Sequence, residues 1–495
     1  METNQLLLNQ AEEAQDCVLA YGHFSTIHPG HIRYLRHAKS LGKRLIVALI
    51  GDAVSNNFPF NQTDRAEALN LLGIANTILL LPGNELEDAI KKLKPSILVL
   101  GTEYQEMEIA SKAIRLQKIH GGSVQFHAGD VHYATSDLLS SSERDLKEER
   151  RALFNTACMR QGLKKEALLK NIDQWKSTKL IVLGDTIVDQ YAACEAIGMS
   201  AEAPVVVVRE LERRNFIGGA AVVAAHISSL GAQCDLISVV GADSTAELVR
   251  KELAAQGIGD GLTCDPSRPT TFKKRYVVEN QKLFRVSRLE EHNLDAAVEN
   301  QVITQLERLA PKAKGIVVSD FVYGVVTPRV LEVVQRLAQE HNLLLFGDLQ
   351  CSSQVGSVTR FKGFSLLCPN EREARLALQN KDSGLEQLSQ RLVQITRSER
   401  LVMKLGPEGF IAYDRAANGQ LTSQPFPALS VNPLDVAGAG DSLLALFATG
   451  LASGQAMMPT AALACCMAAL AVETMGNTPI NPAALRRSLQ EVLLP

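Results

Sequence analysis

Short apolar runs alternate with segments of helical periodicity along almost the whole chain, and the alternation occurs twice. In the first series CVLAYGHF, RLIVALIG, NTILLL, SILVLG and SVQFH read as strands, with helices expected over 31–41, 64–72, 85–93 and 106–120. Strands that are apolar throughout must be covered on both faces, so this rhythm predicts a parallel sheet with helices packed on either side. The second series begins at Lys179 with LIVLGD and runs through APVVVVRE, CDLISVVG, TFKKRYVVE, KLFRVSR, GIVVSD, LLLFGD, FSLLCPN, LVMKLG and GFIAYD. Within it, APVVVV, TFKKRYVV and KLFRVS are closely spaced and alternate in polarity, as a small β-lid over a ligand site would. Ligands in such α/β folds bind beyond the carboxyl ends of the strands.

A chain of 495 residues exceeds one hydrophobic core. The boundaries expected are an α/β domain over 1–139, a helical linker over 140–178 and a second α/β domain over 179–495. Charge runs with intermittent Leu, Phe and Met make the linker read as a solvated connector rather than a dimerisation element, with Trp175 packing it against the second domain. A net charge of −3 with 21% charged residues gives no electrostatic case for nucleic acid or a membrane surface. The nine cysteines lack CxxC pairs and read as reduced thiols of a cytoplasmic protein. METNQLLLNQAEEAQD has no basic start or long apolar core and is not read as a signal peptide, and the apolar stretch 461–472 is too short for a bilayer.

Near the end of the second series lies NPLDVAGAGDS, residues 432–442, ahead of an Ala- and Leu-rich segment. Gly438, Ala439 and Gly440 are therefore expected at the first turn of a helix, where unpaired N–H groups and the helix dipole attract a phosphate. Small residues let the backbone approach it closely, and Asp441 projects a carboxylate to where the hydroxyl of a phosphoryl acceptor would sit. A glycine-rich turn followed by an acidic residue is the bland alternative; DxxGAGD is the more specific pattern.

This arrangement resembles the ribokinase-like, phosphofructokinase-B (PfkB) family of sugar kinases over residues 179–495. Gly184, Asp185 and Asp189 lie at the end of the run KLIVLGD, Gly218 and Gly219 open AAVVAAHISSLG, and Asn370 and Glu373 form an NxxE motif. The resemblance implies a ribokinase-like α/β domain with a β-lid that binds ATP. Asp441 would be the base, Gly438, Ala439, Gly440 and Asp435 would lie at the nucleotide, and Asn370 and Glu373 would hold Mg²⁺ through water. Asp185, Asp189, Gly218 and Gly219 would meet the sugar, and Lys273, Arg275 and Arg285 an anionic substituent on it. Buried carboxylates and basic strand residues are commonly salt-bridged structural groups, which is the competing reading.

In the first series, the strand CVLAYGHF delivers Gly22 and Phe24 and then STIHPGH. His28 and His31 flank Pro-Gly at a helix start, so both imidazoles can face a phosphate held by the helix N-terminus. HxxH could also be half of a metal site, with His120, His127 and His132 as candidate third ligands in number only. The pattern resembles the HxGH signature of cytidylyltransferase-like nucleotidyltransferases, which implies a Rossmann-like domain binding ATP or CTP. Further matches are Asp64-Arg65 and Ala134-Thr135-Ser136, so Arg65, Thr135 and Ser136 are expected at the nucleotide. Ser25 stands where relatives often carry Asp, and Leu100 where many carry Lys.

The two resemblances together are similar to the bifunctional heptose-7-phosphate kinase/heptose-1-phosphate adenylyltransferases of bacterial lipopolysaccharide synthesis, with the domain order reversed. GDTIVDQY, MSAEAPVVVV, PTTFKKRYVVENQKLFRVSR and VVSDFVYG carry the likeness. Val222 replaces an Asn after GGAA, Tyr323 replaces the Lys of a YxKG-like turn, and Asp348-Leu349-Gln350 replaces DPK. These departures point to a sugar substrate that differs from heptose 7-phosphate. A sugar phosphate and a nucleotide are the expected small-molecule partners, a homo-oligomer is expected, and a lapsed domain kept for ligand sensing or scaffolding is the alternative.

Overall fold

The computed structural model describes residues 4–7, 16–24, 27, 29–54, 60–83, 85–101, 104, 108–127, 143–203, 205–279, 281–350, 356–381, 383–415 and 421–494. The chain divides into two compact units, residues 1–140 with 378–392 and 415–425, and residues 141–377, 393–414 and 426–495.

Six strands of the first unit, β1 (Asn4–Leu7), β2 (Cys17–Gly22), β3 (Arg44–Leu49), β4 (Thr77–Leu80), β5 (Ile97–Gly101) and β6 (Ser123–His127), pair in the order β1-β4-β3-β2-β5-β6. Every pairing is parallel. Cys17, Leu19, Tyr21, Ile46, Ala48, Leu98 and Leu100 pack on one face, and Val18, Ala20, Leu45, Val47, Leu49 and Val99 on the other. Two buried faces explain why these strands read as unbroken apolar runs. Helices Pro29–Ser40, Gln62–Leu71, Leu86–Leu93 and Glu108–Ile119 supply the covering layers. All five strand readings and all four helix readings are found, within a few residues at their ends; β1 was not anticipated.

In the second unit, β7 (Lys179–Gly184) begins a mostly parallel sheet. It includes β10 (Gln233–Val240), β11 (Gly259–Cys264), β14 (Gly315–Asp320), β15 (Leu344–Leu349), β16 (Leu366–Leu367), β17 (Arg400–Lys404) and β18 (Phe410–Arg415), in the order β11-β10-β7-β14-β15-β16-β17-β18. The lid is a separate sheet, β13-β12-β8-β9, built from β8 (Thr186–Met199), β9 (Val206–Gly219), β12 (Thr271–Val278) and β13 (Gln281–Arg288). Register sets its sidedness: Lys273 lies opposite Asp189, and Arg275 opposite Tyr191 and Arg285. Residues two apart share a face, so Asp189, Tyr191, Lys273 and Arg275 form one surface. The sequence reading missed β8 as a strand, because TIVDQYAACEAIGM lacks clean alternation.

The solvated connector is corrected. Helices Glu143–Arg160 and Lys165–Asp173 lay an apolar stripe of Phe154, Ala157, Cys158, Leu168 and Ile172 into the same core as β7 and the C-terminal helices, and Trp175 is fully buried there. Asn155 donates to Val492 O at 2.9 Å and accepts from Leu494 N at 2.8 Å. A high charge count masked one sufficient apolar stripe, which is all a packed helix requires. Among the described residues no helix is long and apolar enough to cross a membrane, and the eight described cysteines are free thiols.

Candidate functional site

Helix Ala439–Ala452 starts from Gly438, whose φ of 80° and ψ of −4° lie in the left-handed region that glycine enters without a Cβ penalty. A Cβ there would fall 2.2 Å from Asn477 Oδ1, so the turn is folded tightly onto that side chain. Two residues further, a Cβ on Gly440 would lie 3.2 Å from Lys404 Nζ and 3.8 Å from Asp348 Oδ2. The backbone that opens this helix is therefore bare, and a cation stands beside it. Asp441, in the first turn, is 5% exposed and accepts a hydrogen bond from Gln350 Nε2 at 2.9 Å.

Burial pushes the Asp441 carboxyl up to about 7, helped by the Asp348 and Asp189 carboxylates and opposed by Lys404 and the Gln350 bond. A carboxylate near neutrality is a better proton acceptor than an ordinary aspartate. Lys404, at the end of β17, reaches both oxygens of Asp348 near the end of β15, at 2.9 and 2.7 Å. Burial alone would lower its ammonium, yet Asp348 and Glu373 hold it above the ordinary lysine value, so it stays charged.

The lid face supplies the second half of the site. Arg275 Nη1 pairs with Asp189 Oδ1, and Asn477 Nδ2 approaches Asp189 Oδ2 at 3.4 Å. Gly218 packs flat against the same carboxylate, where a Cβ would be 2.6 Å from Oδ2. Lys273 is buried, its Nζ 5.3 and 5.2 Å from the ring centroids of Phe321 and Tyr323. Arg285 lies on exposed β13. Asp185 instead accepts from the backbone N–H groups of Phe321 (2.8 Å), Tyr323 and Val325 (both 3.3 Å), so its carboxylate holds the 321–325 turn. Gly219, at φ 61°, passes over Asp185 O, which a Cβ would approach to 2.2 Å.

Asp435, expected at the nucleotide, ties the turn before Gly438 to the lid. It accepts from Lys282 Nζ at 2.6 Å, from Tyr191 Oη, and from Ala437 N at 3.0 Å. Burial alone would raise its carboxyl, but these bonds hold it below the usual range. The NxxE motif is a reciprocal cap: Glu373 N–H donates to Asn370 Oδ1 and Asn370 N–H to Glu373 Oε2, both at 2.8 Å, at the start of helix Glu371–Leu378. With those oxygens engaged and Glu373 buried, the pair suits a hard cation approached through its water shell rather than by direct ligation.

In the first unit, Phe24 stands at φ 47° just past β2, buried against the His31 and Tyr34 rings at 5.0 and 6.2 Å. Tyr34 donates to Val99 O at 2.7 Å and accepts from Tyr21 N at 3.1 Å, which pins helix Pro29–Ser40 over β2 and β5. Gly22 leaves room for the Phe24 ring, 3.0 Å from where its Cβ would be. Arg65, expected at the nucleotide, clamps the neighbouring loops. It is 1% exposed and donates to Phe60 O at 3.2 Å, His23 O at 2.5 Å, Ile50 O at 2.9 Å and Asp52 Oδ1 at 2.6 Å. His28, Thr135 and Ser136 lie outside the described residues.

Sequence reasoning missed Lys404 and Asn477. A lone lysine ending the run LVMK was a usable signal for the first; nothing in GNTP pointed to the second.

Residues 177–484 match the family model described as pfkB family carbohydrate kinase, and residues 19–224 the one described as Cytidylyltransferase-like. Their overlap falls on β7 to β9 and helix Ala220–Ser229, all in the second unit. Bifunctional protein HldE of Trichlorobacter lovleyi is 32% identical over 322 residues, 64% of each chain. HldE of Geobacter sulfurreducens is 32% identical over 313 residues, 62% of each. The chain thus spans under two thirds of the length of these relatives. Phosphofructokinase-2 from Escherichia coli superimposes with a TM-score of 0.54 at 16% identity, covering 64% of this chain and 99% of that one. A ribokinase-type structure from Agrobacterium tumefaciens gives 0.51 at 16%, covering 63% and 98%. At such identities these two structures show the fold alone.

Proposed function

Because this chain belongs to the pfkB family of carbohydrate kinases, we propose that its second unit transfers the γ-phosphoryl group of ATP to a hydroxyl of a sugar phosphate, and that its first unit joins a nucleotidyl group to a sugar 1-phosphate. The observation that carries the kinase reading is a buried Asp441, with its carboxyl near neutrality, at a bare glycine turn that opens a helix. Asp441 removes the proton from the acceptor hydroxyl. That oxygen forms a bond to the γ-phosphorus as the bond to the β–γ bridging oxygen breaks, and ADP leaves. The first-turn N–H groups from Gly438 onward receive the charge on the transferring group. Asn370 and Glu373 would hold Mg²⁺ through water, and the ion would supply neutralisation of phosphate charge. Asp189, placed by Arg275, accepts from the sugar, and Lys273 between its two rings meets the anionic substituent.

In the first unit a phosphate oxygen of the sugar 1-phosphate attacks the α-phosphorus of ATP or CTP and pyrophosphate leaves. His31, its ring tilted against that of Phe24, and His28 stabilise the charge. The fusion of the two folds supports successive steps of nucleotide-sugar synthesis, and the departures at 222, 323 and 350 support a sugar other than heptose 7-phosphate. A panel of sugars and sugar phosphates with ATP and then CTP, following ADP and pyrophosphate separately, tests both activities. Absence of sugar-dependent ADP throughout a broad panel would refute the kinase reading.

A further inference from the structure

Lys404 lies in no motif named above, yet its position is unusual for a structural lysine. Its stem ends β17, its side chain is only 12% exposed, and its ammonium stands beside the backbone of Gly440. Asp348, from the neighbouring end of β15, takes two of its three N–H groups, one on each carboxylate oxygen. The third N–H has no acceptor among the described residues. Beyond the paired Asp348, the Glu373 and Asp441 carboxylates also interact electrostatically with this one ammonium, and Asp189 acts on Asp441. A polyanionic phosphate chain entering such a pocket needs a fixed positive charge beside the turn, because first-turn N–H groups carry only about half an elementary charge. The sequence has Gln350 and Tyr323 where the resembled family carries lysines, so the cation comes from another strand.

We propose that Lys404 is a catalytic cation of the kinase site: Asp348 positions its ammonium, and its remaining N–H meets an oxygen of the phosphoryl group in transfer over the Gly438–Gly440 turn. This rests on the kinase reading above. A side chain that merely braced the two strand ends through Asp348 would not be replaceable from a different strand. A catalytic charge would be, and Gln350, whose amide already touches Asp441, is the position from which to supply it. Lys404 also opposes the Asp348 and Asp189 carboxylates in setting the Asp441 proton affinity, with Gln350 as the other group on its side.

The test compares the full-length wild type with Lys404→Met, Lys404→Arg and the double variant Lys404→Met/Gln350→Lys. The measurements are kcat and sugar KM with saturating Mg·ATP, and the pH profile of kcat/KM. Loss of a preorganised charge at the transferring group lowers kcat by about 10²- to 10³-fold, with sugar KM changed only a few-fold. Lys404→Arg and the double variant each recover about tenfold or more of that loss, and the acid limb of Lys404→Met moves to higher pH. Should Lys404→Met fail to fold because Asp348 is left unpaired, Asp348→Asn/Lys404→Met, which buries no lone charge, carries the same comparison. A folded Lys404→Met with wild-type kcat overturns the proposal, as does a kcat loss that is repaired neither in Lys404→Arg nor in the double variant. A wild type inactive on the whole panel yet binding Mg·ATP with an affinity that Lys404→Met leaves unchanged overturns both the kinase reading and the role of Lys404.

Discussion

Gln350 Nε2 donates to Asp441 Oδ1 across 2.9 Å, joining a residue just past the end of β15 to the first turn of helix Ala439–Ala452. This bond favours the ionised carboxylate that burial disfavours, so it opposes the upward push that burial gives the Asp441 carboxyl.

The expected acid limb of kinase kcat/KM lies near pH 7, because Asp441 must be unprotonated to accept the hydroxyl proton. Gln350→Ala removes a bond to the charged form and moves that limb to higher pH. Asp441→Asn lowers sugar-dependent ADP formation by about 10²- to 10⁴-fold while pyrophosphate release by the first unit continues. Wild-type turnover in Asp441→Asn would rule out the assigned base.

Stability should carry the opposite signature. The Asp441 carboxyl rises from 3.8 to about 7 on folding, so its contribution is fully present below about pH 4 and is lost as pH rises through 7. The full loss is on the order of 4 kcal/mol at 1.36 kcal/mol per pKa unit. Asp441→Asn escapes it, so the variant gains on wild type between pH 4 and 7 and the difference levels off above. Denaturant unfolding at pH 5, 6, 7 and 8 checks this; a difference that does not vary with pH contradicts it.

Trp175 is fully buried among the core residues of the second unit. Trp175→Ala should cost about 3–5 kcal/mol, the usual range for emptying a buried aromatic site, and a chain starting at residue 179 should lose cooperative unfolding. An unchanged melting transition in either would restore the connector reading.

His31→Ala should cut nucleotidyl transfer by about 10²-fold, as loss of one charge-stabilising donor does, and leave the kinase rate untouched. Metal analysis of both proteins separates this from a metal site: one zinc per chain present in wild type and absent in the variant would replace phosphate with metal chemistry.

Val222 is buried in helix Ala220–Ser229, three residues past Gly219. If heptose 7-phosphate needs an amide there, its unpaired hydroxyl costs roughly 1–3 kcal/mol. Val222→Asn should then raise kcat/KM for heptose 7-phosphate relative to the native substrate by about ten- to a hundredfold. Wild type preferring heptose 7-phosphate, with no gain in the variant, would mark the departure as neutral.

Much of the architecture follows from the chain's own rhythm. Apolar runs without alternation require two covered faces, and β2 to β6 have them, with residues such as Leu19 and Val18 buried on opposite sides. The Gly438 turn was legible for the same local reason, since DVAGAGDS joins backbone freedom, a helix start and a carboxylate within a few positions. Capping by Asn370 and Glu373 was equally local; the sequence reading passed over it in favour of a metal role. Tertiary structure alone decided which charges meet. Lys404 and Asp348 are 56 residues apart and touch because β15, β16 and β17 are neighbours in the sheet, which brings their carboxyl ends to one edge. Arg65 meets Ile50 and His23, and Asp435 meets Lys282 and Tyr191, through the same kind of long-range juxtaposition. Sequence periodicity reports which face of an element is buried. The partner a buried charge finds is set by strand order and register, which spacing along one chain does not encode.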